Sequence, residues 1–210
     1  MLIELFSKGG VVLALLGILS LILIAVVMER FVFFRNATKK THNFLKGFFD
    51  LFDIYQLETT ELYCKENPCP ISSIASKVLK SHCKTHQDFN DTIAKAGSQE
   101  IPKIESNLNI LSTISYISPL LGLLGTVLGL IASFQSYDES VQSGGLPGPG
   151  VLASGIWEAL ITTVAGLSLG ILSYIIHNYF FIKKERFITT LEECSDELFQ
   201  IFIEKYQLKN

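Results

Sequence analysis

The chain has 210 residues, 49% hydrophobic and 18% charged, with 17 Lys and Arg against 20 Asp and Glu for a formal net charge of −3. A soluble domain carries roughly 25% charged residues. Here the deficit is concentrated in blocks, since Gly9 to Met28 is uncharged and no Lys or Arg occurs between Lys103 and Lys183, a pattern of membrane spans. The negative balance gives no global basic field for nucleic acid, the apolar content excludes disorder, and four Cys are too few for a disulfide scaffold.

In chain order, residues 1–8 read as a short segment outside the membrane and 9–29 as the first span. A bilayer core of about 30 Å needs about 20 apolar residues in a helix. A signal peptide fits poorly, because the flank before Gly9 is barely basic and no small-x-small cleavage site follows. Residues 30–105 read as a helical cytoplasmic domain. Phe44, Leu45, Phe48, Phe49 and Phe52 form one apolar face, Asn67-Pro68-Cys69-Pro70 interrupts the helix, and Ile71, Ile74, Ala75, Val78, Leu79 and His82 recur at helical spacing. Asp88 to Ile104 is a weaker helix expected to feed into the next span, with Pro102 as a kink point.

Residues 106–137 form the second span, free of charge and rich in Leu, Ile and Gly. Residues 138–150 have turn chemistry, with four Gly and two Pro among acidic and polar residues. Residues 151–182 form the third span, apolar except for Glu158, and 183–210 continue as a C-terminal helix with Phe187, Leu191, Cys194, Leu198, Ile201 and Phe202 on one stripe. Positive charge follows spans one (Arg30, Arg35, Lys39, Lys40) and three (Lys183, Lys184, Arg186) and is absent from 138–150. By the positive-inside rule, 30–105 and 183–210 face the cytoplasm, and the N-terminus and the 138–150 loop face the other side. The fold class is therefore an all-α membrane protein, with three transmembrane helices and long cytoplasmic helical extensions.

Two motifs compete for a chemical reading. Cys64, Cys69, His82, Cys83 and His86 cluster in sequence, but their spacing matches no zinc pattern, so reduced cytosolic thiols are the better reading for these and for Cys194, and neither metal nor cofactor is expected. Gly166-Leu167-Ser168-Leu169-Gly170 has the G-x-S-x-G spacing of a nucleophile elbow. That motif needs a strand-to-helix turn. Here it lies inside an apolar helix, where Gly and Ser pack against neighbouring helices, so no enzymatic function is expected.

Glu158 is the sharpest residue. An acid placed centrally in a membrane costs about 3 kcal/mol on translocon-derived scales, and such acids usually face a cavity or protein interior and mark an ion path. The bland reading is an interfacial Glu near a helix N-terminus. Thr162 and Thr163 follow at i+4 and i+5, and Gly155, Ala159, Gly166 and Gly170 make a small-residue stripe. Span two offers a similar stripe through Gly122, Thr126 and Gly129. A polar path through Glu158, Thr162, Thr163 and Thr126 is the expectation, with tight packing at the glycines as its companion. No Lys, Arg, His or second acid stands near Glu158 within the spans, so a relay needs an acceptor from another chain.

Ser118-Pro119-Leu120-Leu121-Gly122-Leu123-Leu124-Gly125-Thr126-Val127-Leu128-Gly129 resembles the second-span signature of the ExbB/TolQ/MotA proton-channel family, and Gly155 to Leu167 its third-span signature. Gly9-Gly10 and Glu29-Arg30 match the ends of its first span. The resemblance leans to the ExbB branch, with TolQ second. It departs at Leu172 and Ser154, where family members often carry Pro. It implies a homopentamer around a dimer of an ExbD/TolR-type single-span partner with a membrane Asp. It implies a proton-driven motor, or stator, working with a TonB-type protein in the bacterial inner membrane. Its functional Glu falls on Glu158 and its pore threonines on Thr126 and Thr163. A TolQ-type envelope subunit and a non-conducting membrane scaffold are the rival readings, and the lone acid alone does not give the ion.

Overall fold

The computed structural model describes residues 10–54, 57–81, 85–144 and 149–206. Among them the chain forms six helices and no strand: α1 (Gly10–Ile54), α2 (Leu57–Glu66), α3 (Pro70–Lys80), α4 (His86–Glu105), α5 (Leu108–Gln142) and α6 (Pro149–Tyr206). The expected segments 1–8, residues 145–148 of the 138–150 loop, His82 and Cys83 lie outside the described residues. Three stretches are long and apolar enough to cross a membrane: Gly10–Leu45, Leu108–Gln142 and Ala153–Gln200. Only 28%, 22% and 28% of their most apolar windows are buried within the chain. The remaining surface, including Leu120, Leu123 and Val127 on α5, requires lipid or further protein to cover it.

The chain divides into two compact units, and α1 and α6 contribute to both. The first comprises Met1–Met28 and Asn107–Tyr179. Here α5 and α6 run antiparallel: as α5 advances from Leu111 through Gly122 to Ser133, its neighbours on α6 retreat from Ser173 through Thr163 to Gly155. The second comprises Glu29–Ser106 and Phe180–Asn210. Its core holds Phe44, Phe48, Ile71, Ile74, Ala75, Val78, Leu79, Phe89, Leu191 and Leu198, so the apolar periodicities on α1, α3 and α6 do mark buried faces. Phe49, Phe52, Ile201 and Phe202 lie outside the described side chains.

Local rules explain the helix ends. Cys69 caps α3: its Sγ accepts from Ser72 N–H (3.4 Å) while Ser72 Oγ accepts from Cys69 N–H (2.9 Å), with Pro70 opening the helix. Thr85 and Asp88 make the same reciprocal cap at α4. The helix from Asp88 does not feed directly into span two. Pro102 sits inside α4, and the break falls four residues later, at Ser106 (ψ 142°) and Asn107 (φ 61°), after which α5 restarts at Leu108. Asn tolerates that left-handed conformation better than most side chains. At the other end α5 continues through Asp138 to Gln142, where Gln142 Nε2 donates to Asp138 Oδ2 (2.8 Å).

Two cations at the span ends are internal to the second unit. Arg30, 3% exposed, pairs with Glu29 and donates to the Ile104 carbonyl (3.3 Å). Lys184, 8% exposed, pairs with Glu105 (3.1 Å) and Glu185 (2.7 Å). Both converge on the C-terminus of α4, where unpaired carbonyls and the negative dipole end favour cations.

Burial pushes the Cys64 thiol up to about 12 from 9.0, with Cys69 and Glu61 adding to it. The shift depletes the thiolate in the folded chain at neutral pH, and the thiolate is the reactive form. Because the folded value lies above the unfolded one, this contribution to stability is complete below pH 9 and is lost as pH rises towards 12. Peptide-resolved alkylation at pH 7.5 should leave Cys64 unmodified in the folded chain and label it promptly in denaturant.

Candidate functional site

The seam between α5 and α6 is built on glycines whose missing side chains admit the opposite helix. A Cβ on Gly122 would meet the Thr163 Cα at 3.1 Å, and one on Gly166 would meet the Ser118 carbonyl at 2.6 Å and the Gly122 Cα at 2.8 Å. Gly129 faces Ala159 (2.9 Å to its Cβ), Gly155 faces Ser133, and Gly170 faces the Pro119 ring (2.7 Å). Small residues at this spacing let backbones approach closely. Gly125 is the meeting point of three helices: a Cβ there would lie 2.7 Å from Thr162 Cβ on α6 and 3.2 Å from Val12 Cγ1 on α1.

Two hydroxyls cross the seam. Thr163 Oγ1 donates to the Gly122 carbonyl (2.9 Å) and Ser173 Oγ to the Leu111 carbonyl (2.8 Å). The others stay local: Thr162 Oγ1 donates to the Ala159 carbonyl (2.7 Å) and Thr126 Oγ1 to the Leu123 carbonyl (2.6 Å). Thr162 is buried at 2% exposure, while Thr126, Thr163 and Glu158 are half-buried. Thr162 and Thr163 face Gly125 and Gly122 across the seam, Thr126 follows Gly125 on α5 and Glu158 precedes Ala159 on α6, and no hydrogen bond links the four to one another. Each hydroxyl hydrogen is held by a backbone carbonyl, which leaves the hydroxyl oxygens as acceptors.

Glu158 lies nine residues into α6, about 13 Å along it at 1.5 Å per residue. No hydrogen bond or ion pair joins it to another described residue. Its nearest landmark was not evident in the sequence: a Cβ on Gly10 would lie 3.7 Å from Glu158 Oε1. Gly10 opens α1 with φ +57°, a conformation glycine adopts without strain. The carboxylate therefore rests beside the first turn of α1, where unpaired N–H groups carry partial positive charge. The only signal for this was the Gly9-Gly10 pair at the head of span one.

Ser168 is exposed in the middle of the continuous helix α6, away from any strand-to-helix turn, and its flanking Gly166 and Gly170 pack on α5. Cys64 is buried, and the Cys69 thiol is occupied as the cap of α3.

Three long apolar helices, two of them joined along a glycine and hydroxyl seam, make this a multi-pass all-α membrane protein. The chain belongs to the MotA/TolQ/ExbB proton channel family, whose model matches residues 67–193. That stretch contains the whole seam, including Glu158, and excludes Gly10. The chain is similar to the biopolymer transport ExbB-like 3 protein of a Synechocystis species, at 30% identity over 82% of this chain and 81% of the relative. It is similar to a biopolymer transport ExbB protein of Vibrio cholerae, at 36% over 54% and 48%. It is also similar to the Tol-Pal system protein TolQ of Pseudomonas aeruginosa, at 38% over 48% of this chain.

Proposed function

We propose that this chain is the proton-channel, or stator, subunit of a TonB-ExbB-ExbD-type complex, using the proton motive force to energise outer-membrane transport. The supporting observation is Glu158: a half-buried carboxylate, unpaired among the described residues, at the head of a tightly packed seam in an apolar helix. A proton crossing roughly 150 mV releases about 3.5 kcal/mol from the potential alone, enough to bias a conformational step of a few kcal/mol. In this reading the chain sits in the bacterial inner membrane, N-terminus periplasmic and C-terminus cytoplasmic. It crosses at 9–29, 106–137 and 151–182, with 30–105 and 183–210 in the cytoplasm. The exposed apolar faces are covered by four further copies in a homopentamer, and an ExbD/TolR-type single-span partner supplies the Asp that exchanges the proton with Glu158. Thr126, Thr163 and Thr162 line the path; Gly122, Gly125, Gly129, Gly155, Ala159 and Gly166 hold the helices at the distance the path needs.

Similarity to TolQ, at 38% identity over 100 residues, favours a second reading, a subunit of a Tol-Pal-type envelope system. Deleting the gene in its host separates the two. Loss of energised uptake through outer-membrane receptors supports the first, whereas detergent sensitivity with normal uptake supports the second. No defect in either overturns both.

A further inference from the structure

The second unit carries a basic pocket that the proton path does not use. It is a cavity of about 440 Å³, within the roughly 300–1,000 Å³ of small-molecule sites. Each of two helices lends it one stripe at i, i+3, i+4 and i+7: Phe31, Phe34, Arg35 and Thr38 from α1, with Lys39 beside them, and Lys183, Arg186, Phe187 and Thr190 from α6. Residues at those spacings share one helix face.

The lining includes four cations and no acid. Arg35 and Arg186 are exposed at the pocket and make no ion pair with a described residue. The acids adjacent in sequence are engaged elsewhere, Glu29 with Arg30 and Glu185 with Lys184. Lys183 Nζ stands 6.0 Å from the centre of the Phe31 ring, which holds the ammonium at the pocket edge. Phe34 and Phe187 are buried and form an apolar wall, with Phe34 stacked on Phe180 at 5.9 Å.

Four cations gathered on an apolar wall select a ligand that is anionic at one end and greasy at the other. The position selects its source. On α1 the pocket begins three residues after the uncharged run ending at Met28, and on α6 it begins at the first cation after Lys103. Phe31, Val32, Phe181 and Ile182 are exposed next to it. The pocket therefore stands where a span meets the headgroup layer, and basic pockets between helices at that depth bind anionic headgroups.

We propose that this pocket binds the phosphate of an anionic phospholipid, with Arg35, Lys39, Lys183 and Arg186 around the headgroup and Phe31, Phe34 and Phe187 along the first methylenes of the chains. Each cation near an anionic headgroup contributes about 1 kcal/mol, or about fivefold in affinity.

The test is lipid titration of the full chain in neutral detergent, read by native mass spectrometry, with phosphatidylglycerol against phosphatidylcholine. Phosphatidylglycerol should bind at least tenfold more tightly. Arg35→Gln with Arg186→Gln, both at exposed positions, should weaken it by about 25-fold, while Lys95→Gln with Lys103→Gln, an equal charge change elsewhere, should leave it within twofold. Equal binding of the two lipids, or equal losses in the two variants, would overturn the proposal. Displacement of the lipid by inorganic phosphate or glycerol 3-phosphate at millimolar concentration would also overturn it, by assigning the pocket to a soluble phosphate.

Discussion

Glu158→Gln should reduce proton-coupled work to background while the chain still accumulates in the membrane at its normal level. The substitution keeps the shape of the side chain and removes its titration. Structural cost should be small, because Glu158 makes no hydrogen bond or ion pair with a described residue and is only half-buried. Neutralising an acid in an apolar helix also relieves a desolvation penalty, so the purified variant should be as heat-resistant as the parent. Energised uptake in a complemented deletion strain, with membrane abundance measured alongside, checks both halves. A non-conducting scaffold would behave differently: Gln would be mild, and Glu158→Ala would weaken assembly.

Gly166→Val is expected to have the largest effect on folding. The added Cβ would fall 2.6 Å from the Ser118 carbonyl oxygen and within 2.9 Å of the Gly122 Cα and N. All three are backbone atoms of α5, so no rotamer change relieves the clash and the helices must separate. Overpacking a well-packed site typically costs 1–3 kcal/mol; with a backbone wall the cost should reach about 3 kcal/mol or more. Separation would also disturb the hydrogen bond from Thr163 to the Gly122 carbonyl, one turn away. Gly97→Ala in α4 is the control, because nothing lies within 4 Å of its added Cβ, and Ala gains about 1 kcal/mol over Gly in a helix interior. Thermal unfolding in detergent should show a large loss for the first and none for the second.

The architecture was legible because it is written in charge. Spans exclude Lys and Arg, and each of the three long helices carries a stretch free of them, although Gly10–Leu45 and Ala153–Gln200 also run on into basic sequence. The stripes of small residues on spans two and three likewise announced that the two pack closely. What they could not announce is register. That Gly125 receives Thr162 while Gly122 receives Thr163 depends on how the antiparallel helices slide, and a periodic stripe fits several offsets. The approach of Gly10 to Glu158 links residues far apart in the chain, and the Gly9-Gly10 pair shows that something packs closely there without showing what.

Arg30 and Lys184 were legible only as topology markers. Their burial against the end of α4 depends on where that helix stops. The stop is set by Ser106 and Asn107, a turn signal weaker than a proline, and Pro102, the more obvious candidate, is accommodated within the helix.

Proton flux through purified protein in liposomes tests the central claim most directly. The chain is reconstituted with the ExbD/TolR-type single-span protein proposed as its partner, a potassium diffusion potential is imposed, and internal pH is followed with a trapped dye. Flux should appear with Glu158 present and fall to the rate of empty vesicles with Glu158→Gln at equal incorporation. Equal flux from the two proteins would contradict the assignment of Glu158 as the proton-carrying group.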